Sequence, residues 1–348
     1  MEKSSAPRKL PIQDIQMKKI PIFFTFNDDY AVPAAVAFYS LLHRAKPDVS
    51  YEMYVLHGDI TRDHQGMLEG VVKRFAGHAL HFIDTSGFLR DEWANSSFYK
   101  GYSSRVQFTA DTLARCFGAR FFPQYDKIIY SDVDVVFADD ISDLWEVDLT
   151  DKYIAGVKGA TRAEGSNRLD HLKPEHRAML RDTYLAGGIW VMNLALIRRD
   201  NLEQTMMDIV RDDTIYKRWL DQDIINIACR NKVAFLPLNY IAYPTMLDYL
   251  VDGVAFTNYT QEELWDSILS PKIIHYAQVK PWRSPVRYAD VWWDIFYYLG
   301  LPRTSIFRAD HNPLAAIRRK VARYRKLTRV FLAVALILAG VCLLLALV

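Results

Sequence analysis

The chain has 348 residues, of which 51% are hydrophobic and 13% aromatic, so it can bury the core of one large α/β domain or of two small ones. Its 43 Lys and Arg residues nearly balance its 41 Asp and Glu residues, and the formal net charge is +2. This balance excludes the strongly basic character of a general nucleic-acid binder, and we expect no nucleic-acid partner.

The first 18 residues carry charges and two prolines but no apolar run of the length that a secretory signal requires. We therefore expect residues 1–18 to form a polar N-terminal extension.

Beyond this extension, short apolar runs alternate with segments of helical periodicity. The pattern predicts helices at residues 32–43 and 109–117, and strands at residues 20–26, 51–56, 80–84, 127–130, 153–157, 188–194, 233–236 and 272–276. Alternating strands and helices are typical of βαβ units, whose strands lie parallel in one sheet. The sequence therefore predicts an α/β fold with a mainly parallel sheet.

The strand predicted at residues 127–130 leads directly to Asp132, Val133 and Asp134. In an extended chain, residues two apart project to the same face, so both carboxylates can face one ligand while Val133 points into the protein. Ligands of open α/β sheets bind at the carboxyl ends of strands, and carboxylates suit Mg²⁺ or Mn²⁺, which bridge phosphates. The pattern indicates a metal site, and an aspartate pair that caps a loop is the alternative.

The three cysteines, Cys116, Cys229 and Cys342, are scattered through the chain without CxxC spacing. This spacing argues against a disulfide framework and against a zinc site, and it favours a reducing compartment.

The C-terminal part differs in composition from the rest. Residues 283–329 are rich in aromatic and basic side chains, and seven Lys or Arg residues fall between positions 318 and 329. Residues 330–348 are all apolar or glycine, and 19 residues at about 1.5 Å each span roughly the hydrocarbon core of a bilayer. We expect a helical basic region followed by a single-pass transmembrane tail anchor, with the basic flank at the cytoplasmic face of the inner membrane. A buried C-terminal helix is the alternative.

Four segments in a fixed order carry a resemblance to a known family. They are FTFNDDY at residues 24–30, FPQYDKIIYSDVD at 122–134, DQD at 221–223, and HYAQVKPW at 275–282. Together they resemble glycosyltransferase family 8, the retaining enzymes of the bacterial lipopolysaccharide galactosyl- and glucosyltransferase and glycogenin type. The resemblance implies a single Rossmann-like nucleotide-sugar-binding domain of the GT-A type over residues 19–282, with a mixed, mainly parallel sheet.

The resemblance also implies roles for individual residues. The donor would be bound by Thr25, Asn27, Tyr30, Arg115, Asp132, Val133, Asp134, Gly187, Gly188 and Lys280, with Tyr30 stacked on the uracil. The metal, Mn²⁺ or Mg²⁺, would be held by Asp132, Asp134 and His275. From the residues alone, a half-buried tyrosine at a strand end is the alternative for Tyr30, and Arg115 is equally a helix-surface cation with a packed stem.

The same resemblance places the catalytic positions at Gln222 and Asp221. Retention requires either a covalent intermediate on the enzyme or departure and attack on one face of the sugar. A glutamine is a poor nucleophile, so Gln222 favours same-face attack, while Asp221 keeps double displacement open. Asp221 could also serve as the N-cap of the helix that follows it.

Two segments depart from the family pattern. The family has Asn-Ala-Gly where this chain has Ala186-Gly187-Gly188, so a side-chain amide that would contact the donor sugar is missing. In the closing motif, Gln278 replaces a glycine, and Lys280 follows His275 by five positions instead of six.

We therefore expect a retaining enzyme that moves galactose or glucose from a UDP-sugar to a saccharide acceptor. The apolar tail favours a lipid-linked acceptor in the synthesis of cell-surface polysaccharide or lipopolysaccharide, because anchoring both partners in one plane raises their effective concentration. The alternative is a catalytically inactive, membrane-anchored scaffold of the same fold that binds a nucleotide sugar or a partner. A nucleotidyltransferase would need a glycine-rich phosphate loop, and residues 27–30 do not form one.

Overall fold

The computed structural model describes residues 17–88, 110–163, 169–212, 214–215, 218–277 and 279–302. The predicted basic stretch, the predicted tail at 330–348, Gln278 and Thr109 lie outside these ranges, as do residues 1–16 of the predicted extension. Within the described part of the chain, no helix combines the length and the apolar character needed to cross a membrane.

The described residues form nine strands in two sheets. The large sheet has the order β3-β2-β1-β4-β7-β6-β8, and the small sheet pairs β5 with β9. The strands are β1 (Lys18–Thr25), β2 (Val49–His57), β3 (Ala79–Asp84), β4 (Lys127–Ser131), β5 (Val135–Phe137), β6 (Ile154–Lys158), β7 (Leu185–Asn193), β8 (Val233–Leu236) and β9 (Ile273–His275). In the large sheet, β7 runs antiparallel to both of its neighbours and the other pairs are parallel. The predicted mixed, mainly parallel sheet is thus confirmed.

Helices cover both faces of the large sheet. They are α1 (Ala31–Arg44), α2 (Arg62–Val72), α3 (Ala110–Ala114), α4 (Gly118–Phe121), α5 (Pro174–Leu180), α6 (Leu194–Arg199), α7 (Leu202–Arg211), α8 (Asp221–Cys229), α9 (Met246–Val251), α10 (Gln261–Leu269) and α11 (Ala289–Leu299). Short 3₁₀ helices occupy Asp28–Tyr30, Arg115–Phe117, Ser142–Glu146 and Leu238–Ile241.

Alternation along β1 shows how the two faces are filled. Ile22 and Phe24 pack with Phe38 of α1 on one face, whereas Phe23 between them packs with Tyr130 and Trp190 on the other. Successive side chains of a strand point to opposite faces, so an almost continuous apolar run supplies two cores.

The small sheet was only partly predicted. Strand β9 was expected within residues 272–276, but β5 was missed, because its three apolar residues follow the acidic motif without a separating turn. Val135 pairs with His275 in antiparallel register. The pairing brings the segment after β4 to a histidine that lies far away in the sequence.

The chain continues past residue 282 as part of the same packed body. Trp292 and Phe296 of α11 are fully buried and pack with Trp282 and with Val32 and Val36 of α1. The first part of the aromatic region at 283–329 is therefore continuous with the core of the α/β domain.

Candidate active site

Two carboxylates and one imidazole converge beside the small sheet. Strand β4 ends at Ser131, so Asp132 and Asp134 follow its carboxyl end directly, as predicted, and lie in the link to β5. The Nε2 of His275 lies 3.4 Å from Oδ2 of Asp132 and 3.2 Å from Oδ1 of Asp134. One ligand atom from each of the three residues lies within 4.8 Å of the other two. The predicted set of metal ligands is thus brought together.

The second oxygen of each carboxylate contacts a cation of the protein. Oδ1 of Asp132 accepts a hydrogen bond from Nη1 of Arg115 at 2.7 Å and another from the hydroxyl of Tyr130. Oδ2 of Asp134 is paired with the ammonium of Lys280. Each aspartate therefore has one oxygen paired with Arg115 or Lys280 and the other oxygen near His275.

The pKa values of this cluster follow from burial and charge. Burial disfavours the ionised form of Asp134, but Lys280 and His275 outweigh burial and hold its pKa well below the usual value. Burial also disfavours a charged imidazole, yet Asp134 and Asp132 raise the pKa of His275 to about 10. The space between the three groups therefore favours positive charge.

The same residues fit a divalent cation. Both ring nitrogens of His275 are buried, and neither makes a well-aligned hydrogen bond with a described residue, although Nε2 lies near both carboxylates. Mg²⁺ and Mn²⁺ accept carboxylate oxygens, and a neutral imidazole nitrogen can complete such a set. Asp132, Asp134 and His275 would hold the ion.

Two glycines of β7 leave room for this arrangement. Gly188 has φ +115°, and a Cβ atom there would lie 2.6 Å from the His275 ring. Its carbonyl oxygen accepts a hydrogen bond from the Asp132 amide at 2.9 Å. A Cβ at Gly187 would lie 3.2 Å from Oε1 of Gln222. Position 188 therefore requires glycine for both its backbone and its contacts.

The two predicted catalytic residues lie in the first turn of α8. Oδ2 of Asp221 is 3.4 Å from Nη1 of Arg115, so this arginine lies between Asp221 and Asp132. Burial raises the pKa of Asp221 to about 7, although the Arg115 guanidinium opposes the shift. The suggestion that Asp221 caps the helix is wrong, because Leu220 occupies the N-cap position and no side chain caps this end.

The residues predicted to bind the nucleotide surround the end of β1. Thr25 is its last residue, and its buried hydroxyl has no hydrogen-bond partner in the described ranges. Asn27 precedes the 3₁₀ turn that ends at Tyr30, and the Tyr30 ring meets Trp282 edge-on at 6.1 Å. Val133 is buried, as expected. The roles of these residues in donor binding stay predictions.

Sequence reasoning missed two aromatic residues of the site. Tyr130 donates to Asp132, and its ring lies 4.9 Å from the Arg115 guanidinium. The Tyr243 ring stacks on His275 with the ring centres 5.8 Å apart. Tyr130 is part of an apolar run that predicts a strand, so nothing in the sequence marks its hydroxyl as functional.

Comparison with known proteins agrees with this geometry. The sequence model of glycosyl transferase family 8 matches residues 21–285. The chain belongs to glycosyltransferase family 8. This membership confirms the resemblance carried by the four segments.

Two relatives show how far their sequences have diverged from this chain. Glycosyltransferase GlyA of Streptococcus pneumoniae is 26% identical over 269 residues, which cover 76% of this chain and 33% of GlyA. Lipopolysaccharide 1,2-glucosyltransferase of Escherichia coli is 21% identical over 293 residues, which cover 81% of this chain and 78% of that enzyme. This chain thus spans about a third of GlyA and most of the glucosyltransferase.

Solved structures show the same GT-A fold. The apo structure of the bifunctional glycosyltransferase WbbM has a TM-score of 0.67 at 24% identity, over 83% of this chain and 50% of that chain. Galactosyltransferase LgtC, solved with donor and acceptor sugar analogs, has a TM-score of 0.61 at 18% identity, over 81% of this chain and 97% of that chain. At these identities the likeness establishes the fold.

The three-ligand arrangement predicts a divalent-metal site. Asp134→Asn and His275→Gln should each weaken Mn²⁺ binding by about tenfold or more, since even outer-shell partners of metal sites contribute that much. Electron paramagnetic resonance of free Mn²⁺ during a titration measures the affinity. Asp143→Asn, which removes an aspartate paired with Lys272 outside the site, is the control and should bind Mn²⁺ like the wild type. Unchanged affinity in both site variants would contradict the assignment.

The raised pKa of Asp221 predicts a pH dependence of stability. The folded-state pKa of about 7 exceeds that of an unfolded aspartate, so the folded state binds an additional proton between these values. The resulting stabilisation is complete below about pH 4 and is lost as the pH rises through 7. Relative to Asp221→Asn, which cannot titrate, the wild type should lose about 2–4 kcal/mol of unfolding free energy between about pH 4 and 8. Urea unfolding at each pH without added metal measures this difference, and a difference independent of pH would refute the prediction.

Proposed function

We propose that this chain is a retaining hexosyltransferase that moves galactose or glucose from a UDP-sugar to a saccharide acceptor. The observation that carries the proposal is the convergence of Asp132, Asp134 and His275. Lys280 is paired with Asp134, and Gln222 lies beside Gly187. The names of two relatives, a lipopolysaccharide glucosyltransferase and a galactosyltransferase solved with donor and acceptor sugar analogs, support a hexose donor and a saccharide acceptor.

The charges of the site suit the departure of a diphosphate. A divalent cation bound by the two aspartates and His275 would supply positive charge against the anion that forms on the leaving group. Lys280 adds a second positive charge, and its side chain is only 10% exposed, so solvent screens it weakly. The ring of Tyr30 is only partly buried and would stack on the uracil.

The residues of α8 favour attack on the same face of the sugar. In that mechanism the bond from the anomeric carbon to UDP breaks, the acceptor oxygen bonds to that carbon, and the acceptor proton passes to the leaving phosphate. A residue beside the anomeric carbon needs no nucleophilic character in this mechanism, so a glutamine at position 222 is compatible with it. The buried Nε2 of Gln222 lacks a hydrogen-bond partner in the described part of the chain. The carboxylate of Asp221, the alternative nucleophile, is directed at Arg115.

The alternative of an inactive scaffold rested on the short spacing between His275 and Lys280 and on the missing amide at position 186. The short spacing still allows the Lys280 ammonium to reach Asp134, so it is weak support for loss of activity. We therefore favour the enzyme.

The proposed activity predicts release of UDP from UDP-galactose or UDP-glucose in the presence of Mn²⁺ and a saccharide acceptor. Asp132→Ala and Asp134→Ala should each lower turnover by about 100-fold or more, because loss of charge stabilisation at a leaving group costs several kcal/mol. Coupled detection of UDP measures turnover, and Asp143→Ala is the matched control. Equal turnover in the two site variants would refute the mechanism, and NMR of the product checks that the anomeric configuration is retained.

We further propose that residues 330–348 anchor the enzyme to the cytoplasmic face of the inner membrane, where the acceptor is lipid-linked. The support is the unbroken apolar composition of these 19 residues and the seven positive charges just before them.

The anchor proposal predicts a change of fractionation when the tail is removed. The full chain should sediment with membranes in 1 M salt and be released by detergent. The membrane-bound fraction of a chain ending at residue 329 should be at least about tenfold lower, because apolar burial dominates such anchoring. Sedimentation and immunoblotting measure the distribution, and UDP release with a soluble acceptor should be unchanged. Retention of the shortened chain on membranes in high salt would contradict the proposal.

A further inference from the structure

The turn that leads into α8 has an unfavourable backbone conformation. Leu220 has φ 43° and ψ −107°, a region that residues other than glycine rarely adopt. Its side chain is buried in the core, so the residue cannot relax without loss of packing. Such a conformation persists when surrounding contacts determine it. The next two residues are Asp221 and Gln222, so whatever holds this turn also sets the direction of the candidate catalytic side chains.

A buried carboxylate holds the turn. Oδ2 of Asp223 accepts a hydrogen bond from the Trp219 amide at 2.8 Å. This bond links the residues on either side of Leu220. The same oxygen lies 2.8 Å from Nε2 of His171, and Oδ1 accepts from the Tyr184 hydroxyl at 2.6 Å. Asp223 is fully buried, so these donors replace the water that an ionised carboxylate would otherwise require.

Helix α8 is hydrogen-bonded to two neighbouring residues at the start of β7, Tyr184 and Leu185. Tyr184 directly precedes β7, and Asn226, one turn after Asp223, bonds both the amide and the carbonyl of Leu185 at 2.6 and 3.0 Å. These contacts fasten α8 to the strand that carries Gly187. His171 is different, because it lies in the segment between β6 and α5, outside every motif of the sequence.

We propose that His171 is a positioning residue, which acts through Asp223 to hold the Leu220 turn and thereby the side chains of Asp221 and Gln222. This inference rests on the proposed function. His171 is itself buried, with its side chain 4% exposed, so solvent cannot take over its role. Since the acceptor is a carboxylate, Nε2 carries the proton of this hydrogen bond.

Loss of His171 would affect the turn because the buried Asp223 carboxylate depends on each of its hydrogen-bond donors. Without the imidazole, the Asp223 carboxylate has to turn or move toward another donor, and its bond to the Trp219 amide weakens. Leu220 can then relax, and Gln222 shifts relative to Gly187. The metal ligands lie beside β5 and β9 and contact neither His171 nor Asp223 in the described structure. Arg115 connects Asp221 to Asp132, but the Tyr130 hydroxyl also holds Asp132, so Mn²⁺ binding should change little.

Kinetics of His171 variants test the proposal. His171→Ala should lower kcat at least tenfold, while KM for the UDP-sugar and the affinity for Mn²⁺ stay within twofold of wild type. His171→Gln, whose amide can donate to the carboxylate, should recover most of kcat, and added imidazole should recover part of it in His171→Ala. His81→Ala is the matched control, because it deletes an exposed histidine that lies 2.6 Å from the Glu52 carboxylate.

Amide exchange gives a readout that does not depend on activity. In His171→Ala the Trp219 amide should exchange at least tenfold faster than in wild type, and in His171→Gln and His81→Ala it should not. Wild-type kcat in His171→Ala, equal defects in the Ala and Gln variants, or a parallel loss of Mn²⁺ affinity would overturn the inference. If the wild type releases no UDP from either donor, the proposed function fails. Exchange at Trp219 then decides the inference alone, and an unchanged rate would overturn it.

Discussion

The site depends on the cost of burying two carboxylates side by side. Asp134 is buried and the Asp132 side chain is only 19% exposed, and an unpaired buried charge is strongly destabilising. Arg115 and Lys280 each compensate one oxygen from outside. The oxygens that remain face His275, and this surplus of negative charge is what makes the space between the three groups a place for a cation or a proton.

The fold meets this constraint by backbone bonds between distant segments. The Asp132 amide donates to Gly188 of β7, and the Tyr276 amide donates to the carbonyl of Asp134, both at 2.9 Å. The His275 amide donates to Ala242. Main-chain contacts thus fix the backbone of the three candidate ligands, and Arg115 and Lys280 orient the two carboxylates. Such rigidity keeps the donor atoms in place before any ligand arrives.

Sequence periodicity predicted most of the strands because an apolar run bounded by polar residues reflects burial directly. It could not predict β5, whose three residues have too short a pattern, nor the antiparallel direction of β7, which depends on how the chain crosses the sheet. The metal ligands were found through a resemblance and not through periodicity. Contacts such as those of Tyr130 and His171 could not be predicted, since they depend on which distant segments meet.

The chain departs from its family at residues 186–188, the part of β7 that the resemblance predicts to lie beside the donor hexose. Ala186 is buried, and its carbonyl accepts a hydrogen bond from the indole of Trp190 at 2.9 Å. Gly187 lies against the amide of Gln222, where a Cβ would force that amide to move. The side-chain amide beside residues 186–188 is therefore that of Gln222 in α8, and β7 itself supplies none. Its direction depends on the turn at Leu220, so the geometry of that turn bears directly on how the sugar would be held.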